Sequence, residues 1–170
     1  MDRALVTSAL DLLAIDRLQR RYGDVITRRA WPELAELFTP EAPIRIDTRT
    51  RPLIEVRGPG ELAAFVEPSI ERFRFFEFTI LNTVADLDTD GPDDIDDPDG
   101  PAAATGRVYL CEVRFDPDAE GWSQAYGVYH DTYARTDGRW WIAGRRYHSL
   151  GRRGVEDAAF PFPTAADLAR

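Results

Sequence analysis

The spacing of apolar residues changes once along this chain of 170 residues, and this change constrains its fold more than any other feature. Before about residue 75 the apolar side chains recur with helical spacing, and beyond it they alternate as in strands. Helices followed by long antiparallel strands predict an α+β domain whose curved sheet folds around the helices. The length fits a single domain over residues 1–170.

Local signals predict the boundaries of the individual elements. The first helix is expected from a capping box at Ser8 to about residue 29, the second begins at Pro32, and the third opens at Gly58. Two short strands, 44–48 and 53–56, lie between the last two helices. Four long strands are predicted at 76–88, 104–115, 121–136 and 139–150.

The last hairpin predicts which side chains share a face of the sheet. Thr136, Asp137 and Gly138 fit a three-residue turn in which Arg135 opposes Arg139. This register assigns to the inner face Tyr129, Asp131, Tyr133, Arg145 and Tyr147. It assigns to the outer face His130, His148, Trp140 and Ile142. A two-residue turn would shift the pairing and break this division.

Charge and residue usage exclude several kinds of protein. All 21 basic residues are arginine, which excludes enzymes that depend on a Schiff-base or phosphate-binding lysine. Eight aspartates between residues 86 and 101 carry most of the net charge of −9, so we expect an exposed acidic hairpin loop and no nucleic-acid partner. Part of this loop resembles a calcium loop, but Pro92 and Asp93 interrupt the pattern.

The number of cysteines and the first residues of the sequence exclude further kinds of protein. Cys111 is the only cysteine, which excludes an internal disulfide and a cysteine-rich metal centre. We expect no metal, no cofactor and no membrane partner. The sequence begins without a secretory signal pattern, so a cytoplasmic location is the expectation. Residues 155–170 form a mixed tail with two phenylalanines, interpreted as a C-terminal flap.

Several segments together resemble the SnoaL-like branch of the nuclear transport factor two-like superfamily. They are Arg21-Tyr22 followed by Trp31, the Thr-Gly-Arg strand at 104–112, and the segment 129–142. The resemblance implies a cone-shaped α+β barrel, with N-terminal helices packed in the concave face of a curved, mostly antiparallel sheet. It also implies a deep, mostly apolar pocket for a small hydrophobic ligand, and a homodimer formed through the outer face of the sheet.

Compared with the active sites of the dehydratases of this superfamily, the sequence has the expected kind of residue at two positions and a different one at two others. Tyr22 matches a first-helix tyrosine of the active site, and Glu112 falls where a catalytic aspartate ends the Thr-Gly-Arg strand. The first-helix aspartate, however, falls at Thr27, and the acid/base histidine falls at or near Phe78. The acid/base pair of those enzymes is therefore missing here.

These considerations predict two sets of site residues. The predicted catalytic residues are Tyr22, Glu112 and Asp131. The predicted substrate-binding residues are Thr27, Phe78, Tyr129, Tyr133, Arg145 and Tyr147. Structural alternatives stay open: Tyr22 as an ordinary core tyrosine, Glu112 on a solvated strand edge, and Asp131 with Arg145 as a pair that only holds the hairpin together.

The leading hypothesis is a cofactor-independent dehydratase or isomerase, or a cyclase of the same kind. It would act by acid/base chemistry on an oxygenated hydrophobic molecule such as a polyketide, terpenoid or steroid. A carboxylate would take a proton beside a carbonyl, and a tyrosine would donate a hydrogen bond to the developing oxyanion. The alternatives are a non-catalytic binding or assembly protein with the same fold, and the small subunit of a ring-hydroxylating dioxygenase.

Overall fold

A computed structural model describes residues 3–88, 102–154 and 157–169. The helices are α1 (Arg3–Arg28), α2 (Gly58–Glu71) and α3 (Ala165–Ala169), with a 3₁₀ helix over Trp31–Glu36. The strands are β1 (Pro43–Asp47), β2 (Ile54–Arg57), β3 (Phe75–Leu87), β4 (Ala102–Asp116), β5 (Gly121–Thr136), β6 (Arg139–Arg153) and β7 (Ala158–Ala159). Most of the predicted acidic loop lies outside the described residues. None of the described helices has the length and hydropathy of a membrane span.

The predicted α+β class is confirmed, with one curved sheet wrapped around the N-terminal helices. The strand order is β2-β1-β6-β5-β4-β3, with β7 paired to the far end of β6. All neighbouring strands are antiparallel except β1 and β6. The four long strands therefore form a continuous meander, and α1 fills its concave face.

Helix α1 begins at Arg3 instead of at the predicted capping box at Ser8. Its buried face carries residues three or four positions apart, which are Ile15, Leu18, Tyr22, Val25 and Ile26. Its arginines lie on the opposite face, where Arg20 pairs with Asp16 one turn away. The burial of this stripe against the sheet makes α1 one wall of the hydrophobic core.

The second predicted helix is a 3₁₀ helix that begins beside Pro32, as expected. The chain leaves helical geometry at Leu37 because its backbone is bonded to β6. The Ile142 N–H donates to the Leu37 carbonyl at 2.9 Å, and the Thr39 N–H donates to the Ile142 carbonyl at 3.0 Å. These bonds hold the buried Phe38 against the sheet.

The predicted three-residue turn between β5 and β6 is wrong. Asp137 (φ 51°) and Gly138 (φ 70°) form a two-residue turn, and Thr136 lies opposite Arg139. As a consequence Trp140 and Ile142 point inward, contrary to the prediction, and the indole N–H of Trp140 donates to Asp11 at 2.8 Å.

Two bulges in β6 change which of its side chains face inward. The first returns the alternation to the predicted one, and the second reverses it near the end of the strand. Ala143 has no partner on β5, so the alternation shifts by one residue and Asp131 lies opposite Arg145. The predicted inward set of β5 and β6 near the site is therefore correct in spite of the wrong turn. A second unpaired residue, Leu150, shifts the alternation once more and turns Arg152 inward, opposite Ala125.

Candidate active site

A cavity of about 480 Å³ lies between α2, β1 and the concave face of the sheet. Part of its wall is apolar and is formed by Ile44, Ile54, Leu62, Phe65, Ile70 and Phe76. The polar part contains three tyrosines, one carboxylate and five arginines, which are Tyr22, Tyr129, Tyr147, Glu112, Arg51, Arg72, Arg114, Arg145 and Arg152. The lining is thus mixed, more basic than the mostly apolar pocket that the resemblance implied.

A buried ion pair joins the wall of this cavity to the interior, because Arg145 lines the cavity and its partner Asp131 lies behind it. The Arg145 Nε donates to Asp131 Oδ1 at 2.9 Å, and Nη2 donates to Oδ2 at 2.6 Å. Gln19 connects the two, since its Nε2 donates to Asp131 at 2.9 Å while its Oε1 accepts from Arg145 at 2.8 Å. The Tyr133 hydroxyl donates to Asp131 at 3.3 Å. Both carboxylate oxygens of Asp131 are therefore engaged, as a buried charge requires.

The guanidinium of Arg145 also contacts the two tyrosines that line the cavity. Its central carbon lies 4.2 Å from the centre of the Tyr22 ring and 3.8 Å from that of Tyr129. Burial lowers the Arg145 pKa, but the charge and hydrogen bonds of Asp131 more than offset this and raise it above the usual value. Its buried Nη1 has no hydrogen-bond partner among the described residues. Arg145 is thus a permanent cation in the wall of the cavity.

Two buried hydroxyls meet beside this guanidinium. The Tyr22 and Tyr129 oxygens are 3.3 Å apart, and the two rings pack edge to face. Burial raises the pKa of both hydroxyls, well above the usual value for Tyr129. Burial likewise raises the pKa of Tyr147 to about 12. All three tyrosines are therefore protonated near neutral pH and can donate hydrogen bonds.

Glu112 is the carboxylate that faces these donors. It lies on the inner face of β4, opposite Phe78 on one side and Ala125 on the other. Its side chain is 18% exposed and accepts a 3.0 Å hydrogen bond from Arg114 Nε. Its charge contributes to the raised pKa of both Tyr22 and Tyr129, so the carboxylate and the hydroxyls share one electrostatic environment.

Three of the predicted substrate-binding residues lie behind the cavity instead of in its wall. The Thr27 hydroxyl accepts the Phe78 backbone N–H at 3.0 Å and so joins α1 to β3. The Phe78 ring stacks on Tyr129 and meets Tyr22 edge to face, at centroid distances of 6.2 and 5.4 Å. Tyr133 belongs to the Asp131 network. These side chains support the lining and do not themselves form it.

The two histidines lie on the outer face, as the alternation predicts. Their rings are 5.7 Å apart, and Phe162 of the C-terminal segment contacts His130. Burial lowers the pKa of both, to about 4 for His148. Within the described residues, no group of three or more His, Cys, Asp or Glu could hold a metal ion.

Sequence reasoning missed several residues of this region. Gln19 could have been found, because it is the polar member of the apolar stripe of α1 and is fully buried. Arg114 could also have been found, because it lies two residues after Glu112 and therefore on the same face of β4. Arg51 and Arg152 had no such signal: one lies between β1 and β2, and the other faces inward only because of the bulge at Leu150.

A curved sheet wrapped around N-terminal helices, with a cavity lined by both polar and apolar side chains, is typical of one class of small α+β domains. Within that class the chain belongs to the SnoaL-like domain family, whose sequence model matches residues 7–146. This confirms the resemblance stated above. No curated protein matches the sequence significantly.

Solved structures share the fold along nearly the whole chain. A candidate scytalone dehydratase from Novosphingobium aromaticivorans is 20% identical, with 95% of this chain and 99% of that chain covered and a TM-score of 0.72. A type-3 hexachlorocyclohexane dehydrochlorinase, LinA, from Novosphingobium barchaimii is 16% identical, with 93% and 99% covered and a TM-score of 0.67. An NTF2-like protein with a cystatin-like fold from Novosphingobium aromaticivorans is 16% identical, with 99% and 96% covered and a TM-score of 0.67. These likenesses establish the fold alone.

Proposed function

We propose that this protein is an acid/base enzyme of the lyase or isomerase type that acts on a small hydrophobic molecule bearing an oxygen. The observation that carries the proposal is the meeting of one carboxylate, Glu112, with the donors Tyr22, Tyr129 and Arg145 in a single cavity. A base and an oxyanion site on opposite sides of one ligand are what enolisation requires.

In the proposed reaction Glu112 removes a proton from the carbon next to a carbonyl. The electron pair of the broken C–H bond moves toward the carbonyl oxygen, and the enolate accepts hydrogen bonds from Tyr22 or Tyr129. The enolate then expels a β-hydroxyl as water, and the leaving oxygen takes the proton from the Glu112 carboxyl. Alternatively, where a β,γ double bond extends the enolate, that proton returns to the γ-carbon. The first course is a dehydration and the second is an isomerisation.

We assign Asp131 a positioning role in place of the proton transfer predicted from the sequence. Both of its oxygens are held by Arg145, Gln19 and Tyr133, so neither is available as a base. Its proposed role is to fix the Arg145 guanidinium between the two tyrosine rings. Tyr147 completes the substrate-binding side of the cavity, while Phe78 and Thr27 act through the packing of Tyr22 and Tyr129.

The test measures deuterium uptake from heavy water by a panel of cyclic ketones and β-hydroxy ketones, which reports enolisation before the natural substrate is known. The wild type is expected to accelerate uptake for at least one compound, and Glu112→Gln to abolish the acceleration. Glu77→Gln is the matched control, because Glu77 lies on the neighbouring strand but is exposed. Acceleration that survives in Glu112→Gln would contradict the proposed base.

A second candidate is a binding protein that has the same fold and no catalysis. Two observations favour it. Arg114 donates a hydrogen bond to the Glu112 carboxylate, which makes this carboxylate a weaker base. Phe78 lies at or near the position where the dehydratases have their acid/base histidine. In that case no ketone of the panel would exchange above the background rate. Glu112→Gln would then leave ligand affinity within about twofold of the wild type, a difference of less than 0.5 kcal/mol.

The homodimer through the outer face of the sheet is retained as a proposal. The C-terminal segment already occupies part of this face, because Phe162 packs on Tyr109 and His130. A dimer would therefore use the remaining part of the face or include this segment. Light scattering on the full chain, compared with a chain that ends before residue 155, distinguishes these arrangements.

A further inference from the structure

We infer that the ligand of the cavity carries a carboxylate, held by Arg51 and Arg152 at a distance from the reacting end. The substrate class is thus a hydrophobic oxo- or hydroxy-carboxylic acid. The assignment of the reacting end to Glu112 rests on the proposed function. The recognition of the carboxylate rests on charge and geometry alone and is tested by binding.

The charges of the cavity wall do not balance. Of its five arginines, Arg145 is neutralised by Asp131 and Arg114 by Glu112. A third, Arg72, lies 3.6 Å from Asp116. Three arginines therefore have carboxylate partners within the protein, and two remain.

Neither Arg51 nor Arg152 forms an ion pair with any carboxylate in the part of the chain that the structure describes. Arg152 is half-buried, and its Nη2 donates only to the Thr48 backbone carbonyl, at 3.3 Å. Thr48 and Arg51 lie on the connection between β1 and β2, and both line the cavity. Arg51 is exposed and Arg152 is the partly desolvated cation of the two, so a carboxylate in the cavity is attracted to Arg152 more strongly than it would be in bulk water.

The register of the sheet sets the distance between the two ends of the ligand. Glu112 lies opposite Ala125 on the next strand, and Ala125 lies opposite Arg152 on the strand beyond it. Two strand spacings separate the Cα atoms of Glu112 and Arg152 by roughly 10 Å. Ala125 is the only residue between Glu112 and Arg152 along this line across the sheet. Because its side chain is a single methyl group, it leaves space for a ligand to lie across the sheet at this point.

The mixed lining fits such a ligand. Apolar side chains from α2 and β1, among them Ile44, Leu62 and Phe65, form part of the cavity wall. The charge of Glu112 acts on the hydroxyls of Tyr22 and Tyr129, whereas Arg152 is bonded to the connection between β1 and β2. A flat apolar body with an oxygen at one end and a carboxylate at the other therefore matches the chemistry of each part of the wall.

The experiment compares two probes of nearly equal shape, 2-naphthoate and 2-naphthamide, by calorimetry at neutral pH. We expect wild-type protein to bind the carboxylate at least about tenfold more tightly than the amide, since charge-assisted hydrogen bonds to arginine are the stronger kind. The double variant Arg51→Gln/Arg152→Gln is expected to lose this preference and to bind the amide within about twofold of wild type. The preference should also weaken as salt is added.

Two further variants make the result specific. Arg153→Gln removes the same charge from the adjacent residue of β6, which is exposed and does not line the cavity, and should leave the preference intact. Arg152→Lys retains the charge and should retain most of the preference, which separates charge from folding. Equal affinity of the two probes in wild type, failure of the carboxylate to bind, or a preference that survives in the double variant would each overturn the inference.

These outcomes are independent of catalysis. A carboxylate preference together with unchanged ketone exchange in Glu112→Gln would reject the proposed function and retain the anion site. Loss of exchange in Glu112→Gln together with equal probe affinities would reject the anion site and retain the proposed function.

Discussion

Asp131 and Arg145 lie directly opposite each other on β5 and β6, and their side chains are 0% and 1% exposed. The pair is held by two hydrogen bonds and connected to α1 through Gln19. Such a pair does not necessarily raise the free energy of unfolding, because removing both charges from water is costly. What it does is fix a cation against the rings of Tyr22 and Tyr129.

Removal of one partner should destabilise the fold strongly. Asp131→Asn leaves the Arg145 charge buried without a counter-charge, and we expect the free energy of unfolding to fall by about 3–5 kcal/mol in urea titrations. Replacing both residues, as in Asp131→Leu/Arg145→Met, should recover most of this loss. Asp24→Asn removes an exposed pair with Arg28 and should leave the free energy of unfolding almost unchanged. A small effect of Asp131→Asn would contradict the buried pair.

The paired hydroxyls of Tyr22 and Tyr129 should matter for catalysis more than for stability. Tyr22→Phe or Tyr129→Phe removes one oxyanion donor, and the accelerated deuterium uptake should fall by roughly a hundredfold. The free energy of unfolding should fall by only about 1 kcal/mol, as for one lost hydrogen bond. Tyr126→Phe, at a partly exposed tyrosine outside the cavity, is the control. Unchanged uptake in both cavity variants would remove these hydroxyls from the mechanism.

Gly127 provides the space that the Tyr147 ring occupies. A Cβ at position 127 would lie 2.2 Å from the Cε2 of that ring. Gly127→Ala should therefore force the ring to move and lower the free energy of unfolding by about 1–3 kcal/mol. In a Tyr147→Ala background the same change should cost much less, which a double-mutant cycle measures. Additive effects would show that the contact does not cause the loss.

His148 should make stability depend on pH under mildly acidic conditions. Burial, assisted by the charges of Arg49 and Arg146, lowers its pKa to about 4 in the folded protein. The value in the unfolded chain is about 6.5, so the unfolded state takes up the proton first as the pH falls. This contribution to the free energy of unfolding is therefore complete above about pH 6.5 and is lost toward pH 4, by roughly 3 kcal/mol.

Urea titrations across this range check the expectation. Other groups titrate there as well, so the comparison is between the pH slopes of the wild type and His148→Gln. The variant, whatever its absolute stability, should have the flatter slope. Parallel slopes would show that His148 is protonated equally in both states.

The amino-acid sequence alone determined the order and kind of the elements from α1 to β6, because the spacing of apolar residues differs between helices and strands. It did not predict β7 and α3 in the tail. It also determined that Glu112 shares one face of β4 with Val108 and Leu110, and that Asp131 shares one face of β5 with Tyr129 and Tyr133. The buried face of α1, with Tyr22 on it, followed in the same way.

Tertiary structure alone decided where the alternation breaks. The bulges at Ala143 and Leu150 each directly precede a glycine, Gly144 and Gly151. A glycine inside a strand indicates where a bulge is tolerated, but it does not fix the register of the paired strands. The two-residue turn at Asp137 shifts the pairing of β6 by one residue, and the bulge at Ala143 shifts it by one more. Arg145 therefore faces inward as predicted, although the predicted turn was wrong. The second bulge brings Arg152 into the cavity, because register is a property of paired strands and not of one strand.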